Sequence, residues 1–315
     1  MKRVLITGAA GFSGRYLLRH LKRRGFQVLG TYHSRLPPKT AREDFEALDI
    51  MRFEKVAALL ARFRPDGVVH LAAQSVPSRS WIEPEETFRI NTAGTVNLLN
   101  AVLHAAPRAT FVFPSTSYAY GYSFRSGSGC ARERDLLWPE NPYGASKVSG
   151  ELACLDFSAR FKTVVMIARA FSHTGPGQLE DFVFSNWCRQ IALAEAGRGS
   201  PSLEVGDLGL ERDFLHVEDV VRAYEILLCK GESGGIYNIC TGRPRPLRDY
   251  VEYLLGRAKI PIRVHPQKKR FRREDPRRVW GDPSRIKKLG WKPEKTAFHG
   301  VGELLEEWRE KFSVE

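Results

Sequence analysis

The chain opens on Val4-Leu5-Ile6-Thr7-Gly8-Ala9-Ala10-Gly11-Phe12-Ser13-Gly14, with the amphipathic stretch Arg15–Arg24 directly behind it. An apolar β-run, a glycine-punctuated turn and a helix in that order make the strand, phosphate loop and helix of a dinucleotide-binding unit. Gly8 lets the chain leave the strand in a tight turn. Gly11 leaves no Cβ between the backbone and a pyrophosphate. Gly14 brings the helix close to the strand, so that its free N–H groups and positive dipole end face the anion. Phe12 and Ser13 complete the loop and join these glycines as candidate cofactor-binding residues.

At 315 residues the chain can bury a substantial core and suits one nucleotide-binding domain plus a smaller lobe. A hydrophobic share of 43% with six tryptophans excludes a disordered chain. No apolar run approaches transmembrane length, and the start Met1-Lys2-Arg3 reads as the lead into a core strand rather than a secretory signal. Cys130, Cys154, Cys188, Cys229 and Cys240 form no CxxC pair, which predicts reduced thiols in a cytoplasm. The eight histidines show no ligand spacing, so no metal site is expected. The net charge of +13 is densest at Lys268-Lys269-Arg270-Phe271-Arg272-Arg273. No nucleic-acid reader motif accompanies it, and neither nucleic acid nor membrane is expected as a partner.

Strand-like and helix-like segments alternate, which predicts an α/β fold with a Rossmann-type doubly wound parallel sheet. Strands are expected at Gln27–Tyr32, Phe45–Ile50, Gly67–Ala72, Thr110–Ser115 and Thr163–Ala168. Helices are expected at Phe53–Phe63, Glu85–Ala106 and Tyr143–Phe161. Beyond Ala170 the alternation weakens, and His216–Leu228 with Ile236–Cys240 reads as a return to the main sheet. The expected division is a dinucleotide-binding domain of residues 1–170 plus 213–241, and a substrate lobe of residues 171–212 plus 242–315.

Asn141-Pro142-Tyr143-Gly144-Ala145-Ser146-Lys147 places a phenol and an ammonium on one face at the start of a helix. A phenol titrating near 10 is a sluggish proton donor or acceptor, and a neighbouring ammonium is expected to lower that value. The strand ending Phe113-Pro114-Ser115-Thr116-Ser117 supplies Thr116, whose hydroxyl can hydrogen-bond the substrate oxygen that Tyr143 serves, or simply close a turn. At the end of the second strand, Thr31-Tyr32-His33-Ser34-Arg35 carries no carboxylate to accept ribose hydroxyls. Ser34 and Arg35 can hold a 2′-phosphate instead, so NADP(H) is expected, with NAD(H) as the alternative.

The glycine loop, Thr116, and the Tyr143/Lys147 pair together resemble the extended short-chain dehydrogenase/reductase family, whose usual substrates are nucleotide sugars. The resemblance runs almost end to end, through His70-Leu71-Ala72-Ala73-Gln74-Ser75, Asn91-Thr92-Ala93-Gly94-Thr95 and Tyr120-Gly121. It implies a catalytic triad of Thr116, Tyr143 and Lys147. Asp49 and Ile50 would lie beside adenine, Leu71, Ala72 and Ala73 along the cofactor, and Gln74 and Ser75 by the substrate. It also implies a homodimer pairing the Glu85–Ala106 and Tyr143–Phe161 helices into a four-helix bundle.

Arg169-Ala170-Phe171-Ser172-His173-Thr174-Gly175-Pro176-Gly177-Gln178, Val205-Gly206-Asp207-Leu208, Arg212-Asp213-Phe214 and Gly281-Asp282-Pro283-Ser284 narrow the resemblance to enzymes of GDP-6-deoxyhexose metabolism. Ser172 stands where the family has an asparagine against the substrate, and Arg212 and Arg272 fall where relatives bind the diphosphate. A 4,6-dehydratase needs a carboxylate one or two residues after the catalytic threonine; here Ser117 and Tyr118 stand there. The expected activity is therefore NADPH-dependent reduction of the C4 keto group of a GDP-linked 4-keto-6-deoxyhexose, giving GDP-rhamnose or its C4 epimer. A 4,6-dehydratase or a 4-epimerase is the alternative within the family. A non-catalytic Rossmann sensor is the alternative of another class, and it would have no need of the triad.

Overall fold

The computed structural model describes residues 1–34, 36, 43–125, 129–267 and 275–313; Arg35, Arg272 and the basic run 268–273 lie outside the described residues. Seven parallel strands form the central sheet: β1 (Arg3–Thr7), β2 (Gln27–Tyr32), β3 (Phe45–Ala47), β4 (Gly67–His70), β5 (Thr110–Thr116), β6 (Val165–Ala170) and β7 (Gly235–Ile239). Their spatial order is β7-β6-β5-β4-β1-β2-β3, and every neighbouring pair is parallel. The order reverses beside β1, and ligands of such sheets sit at the carboxyl ends of the strands by that switch point.

Side chains alternate across the sheet, as pleating demands. Val4, Ile6, Val69, Val112, Met166 and Ala168 pack into one core with helices α1 (Phe12–Arg23) and α6 (Val217–Lys230). Leu5, Val68, Phe111, Phe113, Val165 and Ile167 pack into the other with α2 (Phe53–Phe63), α3 (Gly94–Ala105) and α4 (Pro142–Phe161). A third core, built on Phe184, Trp187, Tyr250, Leu254, Val301 and Leu304, unites α5 (Val183–Glu195), α7 (Leu247–Leu255) and α8 (Ala297–Ser313). Beside it the short strand Glu211–Arg212 pairs with Arg245–Pro246 and Arg278–Gly281. Among the described residues no helix is long and apolar enough to cross a membrane.

The expected helix over Glu85–Ala106 is present from Pro84 to Ala105, with one local departure: a π-bulge at Arg89–Ala93 between the α-helical segment Pro84–Phe88 and α3. The widened turn lets Asn91 and Thr92 reach α4 while Thr95, Leu98, Leu99 and Val102 remain buried. The third strand also stops at Ala47, three residues short of Ile50.

A buried ion pair ties α4 to the sheet. The Arg169 guanidinium on β6 donates to Glu151 of α4 at 2.7 Å, to the Tyr120 hydroxyl at 3.0 Å and to the Glu133 carbonyl at 3.0 Å. Ser115 of β5 donates to the same Glu151 carboxylate, and the Tyr120 hydroxyl donates to Asn238 Oδ1 at 2.7 Å. Removing one partner strands a buried charge. We expect Glu151→Ala to lower unfolding free energy by about 3–5 kcal/mol, with the Glu151→Leu/Arg169→Met pair recovering most of it. Urea titration measures this, and a single-variant loss below about 1 kcal/mol would place the pair in the class of surface ion pairs.

Candidate active site

Helix α4 starts where its sequence says it must. The Asn141 side chain accepts from the Gly144 N–H at 2.8 Å, and Pro142 occupies the first turn, where its missing N–H costs nothing. Two glycines then allow close seating against β5. A Cβ on Gly144 would come within 2.7 Å of the Tyr118 carbonyl oxygen, and one on Gly150 within 2.6 Å of the Phe113 ring. The first turn of α4 is thus pressed against the carboxyl end of β5, and Tyr143 meets Thr116.

Thr116 hydrogen-bonds the Tyr143 phenol and also accepts from the Tyr118 N–H at 3.2 Å, so it closes a turn and faces the phenol at once. Burial pushes the Tyr143 pKa up to about 12, and the Thr116 hydrogen bond pulls the other way. This departs from the expectation that Lys147 lowers it. The Lys147 ammonium lies over the face of Phe113, 4.1 Å from the ring centroid, and the groups felt at the phenol are Thr116, through its hydrogen bond, and Tyr118. Burial lowers Lys147 itself to about 8, with Cys154 and Glu151 opposing.

The glycine loop fits a dinucleotide phosphate. Gly8 takes φ +67°, and a Cβ there would lie 2.6 Å from the Ala72 nitrogen; one on Gly14 would lie 2.6 Å from the Ala9 Cα. Among the described residues no side chain caps the start of α1, so its first amides are left for an anion. The neighbouring side chains do something else. Ser13 Oγ bonds His173 Nε2 at 2.9 Å, and Phe12 stacks on the His173 ring at 5.8 Å. Tyr16 donates to the Pro176 carbonyl at 2.9 Å. The first turn of α1 therefore grips the 173–177 loop.

The other expected residues fall into distinct settings. Leu71, Ala72 and Ala73 line the carboxyl end of β4, half-buried; Ser34 is exposed past β2; Ser75 is exposed. Asp49 accepts from the Met51 N–H at 2.9 Å, and Ile50 is buried against Gly94. Gln74 has its amide committed to Val76 and Thr87, so it holds its own loop. Ser172 is half-buried, with its carbonyl accepting from Leu215. Arg212 donates to the Pro276 carbonyl at 2.9 Å, and burial lowers its pKa against the pull of Asp275, Tyr118 and Glu140. Its neighbour Asp213 accepts from Thr241 and Gly242 and fixes this strand to the end of β7. A cavity of about 650 Å³ lined by Glu180, Val183, Asn186, Trp187, Gly206 and Asp275 opens nearby in the smaller lobe.

A family model described as GDP-mannose 4,6 dehydratase matches residues 5–304. The chain belongs to that family. It is 33% identical to the GDP-6-deoxy-D-mannose reductase of Pseudomonas aeruginosa, covering 100% of this chain and 99% of the relative. A structure of RMD from Pseudomonas aeruginosa complexed with NADPH superposes with a TM-score of 0.85 at 32% identity, covering 99% of this chain and 100% of that one. A GDP-mannose 4,6-dehydratase of Yersinia enterocolitica is 27% identical over 97% of this chain and 93% of its own. The UDP-glucose 4-epimerase of Thermus thermophilus, in complex with NAD, reaches a TM-score of 0.85 at 27% identity, covering 98% of this chain and 99% of that one.

Within this family's extended short-chain dehydrogenase/reductase fold, two buried groups escaped the sequence reading as site residues. Asn91 donates to the Gln74 carbonyl at 2.9 Å and to Ser146 Oγ at 3.0 Å, joining β4's exit to α4 beside Lys147. His70 bonds Thr7 Oγ1 at 2.7 Å and Thr95 Oγ1 at 3.1 Å, linking β1, β4 and α3. Both stand inside recognisable motifs, but only a fold shows what each touches. Burial, aided by Lys147, lowers His70 from 6.5 to about 3. The unfolded chain therefore binds a proton here below about pH 6.5 that the native state refuses, and stability is lost as pH falls toward 3. We expect His70→Gln to flatten the acid side of a Tm-against-pH curve; an unchanged slope would remove His70 from that account.

Proposed function

We propose that the protein is an NADPH-dependent 4-ketoreductase that converts GDP-4-keto-6-deoxymannose to GDP-rhamnose or its C4 epimer. The observation that carries this reading is that Ser117 and Tyr118 stand where a dehydratase needs a carboxylate, beside a half-buried Tyr143 that faces Thr116. A protonated Tyr143 phenol is the proton donor that this reaction needs. Reduction of a ketone calls for a donor, whereas oxidation of a sugar hydroxyl, the first step of a dehydratase or epimerase, calls for a phenolate base.

Gly8, Gly11 and Gly14 with the amides of Phe12 and Ser13 would hold the pyrophosphate, and Leu71, Ala72 and Ala73 would flank the cofactor. Asp49 and Ile50 would border adenine, with Ser34 and Arg35 at the 2′-phosphate. The bound nicotinamide supplies the hydride. Tyr143 gives its proton to the C4 oxygen, Thr116 polarises that carbonyl, and Lys147 holds the ribose with its ammonium. Arg212 and Arg272 would meet the diphosphate, and Gln74, Ser75 and Ser172 the sugar. On this reading residues 1–170 plus 213–241 would form the cofactor domain and residues 171–212 plus 242–315 the substrate lobe. NADP(H) is favoured over NAD(H) by the absence of a carboxylate at the end of β2 and by the NADPH complex of the Pseudomonas relative.

Loss of NADPH absorbance on adding GDP-4-keto-6-deoxymannose tests the activity directly. We expect Tyr143→Phe to lower kcat by about 10²–10⁴ with cofactor affinity retained. The wild-type rate should hold to about pH 8 and fall above it as Lys147 loses its charge. A rate that climbs through this range, or C4 epimers interconverted without added reductant, would mean that a phenolate base works here and the enzyme is an epimerase.

We also propose that the enzyme is a cytoplasmic homodimer. Cys154, Cys188 and Cys240 are buried thiols. Leu152 on α4 is 61% exposed, with Trp81, Ile82 and Phe88 exposed on the neighbouring turns. Light scattering should give twice the chain mass and Leu152→Glu about half of that; a wild-type monomer would end the dimer proposal.

A further inference from the structure

The turn that follows β5 presents one side chain to the site. Ser117 and Ala119 are buried, while Tyr118 between them is 38% exposed. Its backbone is held at both ends of the residue: the N–H donates to Thr116 Oγ1 at 3.2 Å, and the carbonyl oxygen lies against Gly144, where a Cβ would come within 2.7 Å. The ring meets that of Tyr143 edge-on, with centroids 6.0 Å apart and planes at 76°. The Arg212 guanidinium lies within electrostatic range of the same side chain. Tyr118 therefore lies beside the proton donor and within reach of the arginine assigned to the diphosphate.

A hexose with C4 at Tyr143 and its anomeric diphosphate at Arg212 would have this ring beside its reacting carbon. The two edges of such a sugar differ in polarity. The C2–C3 edge carries hydroxyls, and the C5–C6 edge of a 6-deoxy sugar ends in a methyl group. An aromatic face gains by covering CH surface and loses where it desolvates a hydroxyl without replacing its hydrogen bonds. We propose that Tyr118 is a specificity-determining platform for the C5–C6 edge of the hexose, selecting a methyl over a hydroxymethyl group at C6. The assignment rests on the reductase reading, and it makes the ring rather than the phenol hydroxyl the selective element.

The test is binding, measured by calorimetry on the NADP⁺-loaded protein with GDP-6-deoxymannose and GDP-mannose, which differ by one oxygen at C6. The wild type should prefer the deoxy sugar by about 10- to 100-fold, the range an apolar pocket reaches for one added group. Tyr118→Phe should keep that ratio, and Tyr118→Ala should bring it toward unity, mainly by weakening the deoxy sugar. Unchanged NADP⁺ affinity in both variants shows that the fold is intact. Equal wild-type affinities, a ratio surviving in Tyr118→Ala, or a ratio lost in Tyr118→Phe would each overturn the platform. A protein that binds NADP⁺ but neither sugar would overturn the reductase reading itself, and the platform with it.

Discussion

The seating of α4 on the end of β5 is the contact on which the rest of the site depends. Thr116 closes a strand and Tyr143 opens a helix 27 positions later in the chain, so nothing local brings their hydroxyls together. Asn141 and Pro142 set where the helix begins, and Gly144 and Gly150 set how near it lies. Glu151 fixes its register, because one carboxylate is shared between Ser115, adjacent to Thr116, and Arg169 on the next strand. Each device acts within two turns of Lys147. The ion pair is costly to desolvate and cannot be justified by stability alone; its geometric return is a helix that cannot slide along the sheet.

That same close seating sets the chemistry through burial. Lys147 is buried and Tyr143 half-buried, and lost hydration disfavours the charged form of each: the phenol moves up to about 12 and the ammonium down to about 8. Both shifts leave the groups protonated at neutral pH. Mutual attraction between phenolate and ammonium would have produced the opposite pattern at Tyr143. The Lys147 ammonium lies over the face of Phe113, where quadrupole attraction replaces part of its lost hydration.

The sheet and the identity of the chemistry were legible in the sequence because both are written locally. The apolar runs of β1, β2 and β5, the helix Phe53–Phe63, and the spacing of Gly8, Gly11 and Gly14 each occupy a single window. The π-bulge at Arg89–Ala93 was not legible, since an apolar period alone continues through it. At the bulge Asn91 reaches Gln74 and Ser146, partners 17 and 55 positions away. The bonds that hold Gln74 were hidden for a similar reason: a motif position says that an amide is required, not whether it faces a ligand or its own loop. The direction of the Tyr143 shift was hidden too, because i,i+4 spacing places two side chains on one face without fixing where their ends point.

The two lobes are joined at the turn where the cofactor phosphate would bind. Backbone amides of the α1 start are left for an anion, whereas its side chains, Ser13 on His173 and Tyr16 on Pro176, reach into the loop that leads to the smaller lobe. From the far side, Glu307 of α8 accepts from the Gly177 N–H at 2.6 Å. The loop carrying Ser172 is thus clamped between the dinucleotide fold and the last helix of the chain. Division of labour between backbone and side chain lets a single turn serve both: amides recognise an anion without regard to what it is attached to, and side chains position the loop without competing for that anion. Selectivity for a particular sugar must then arise from groups outside this clamp.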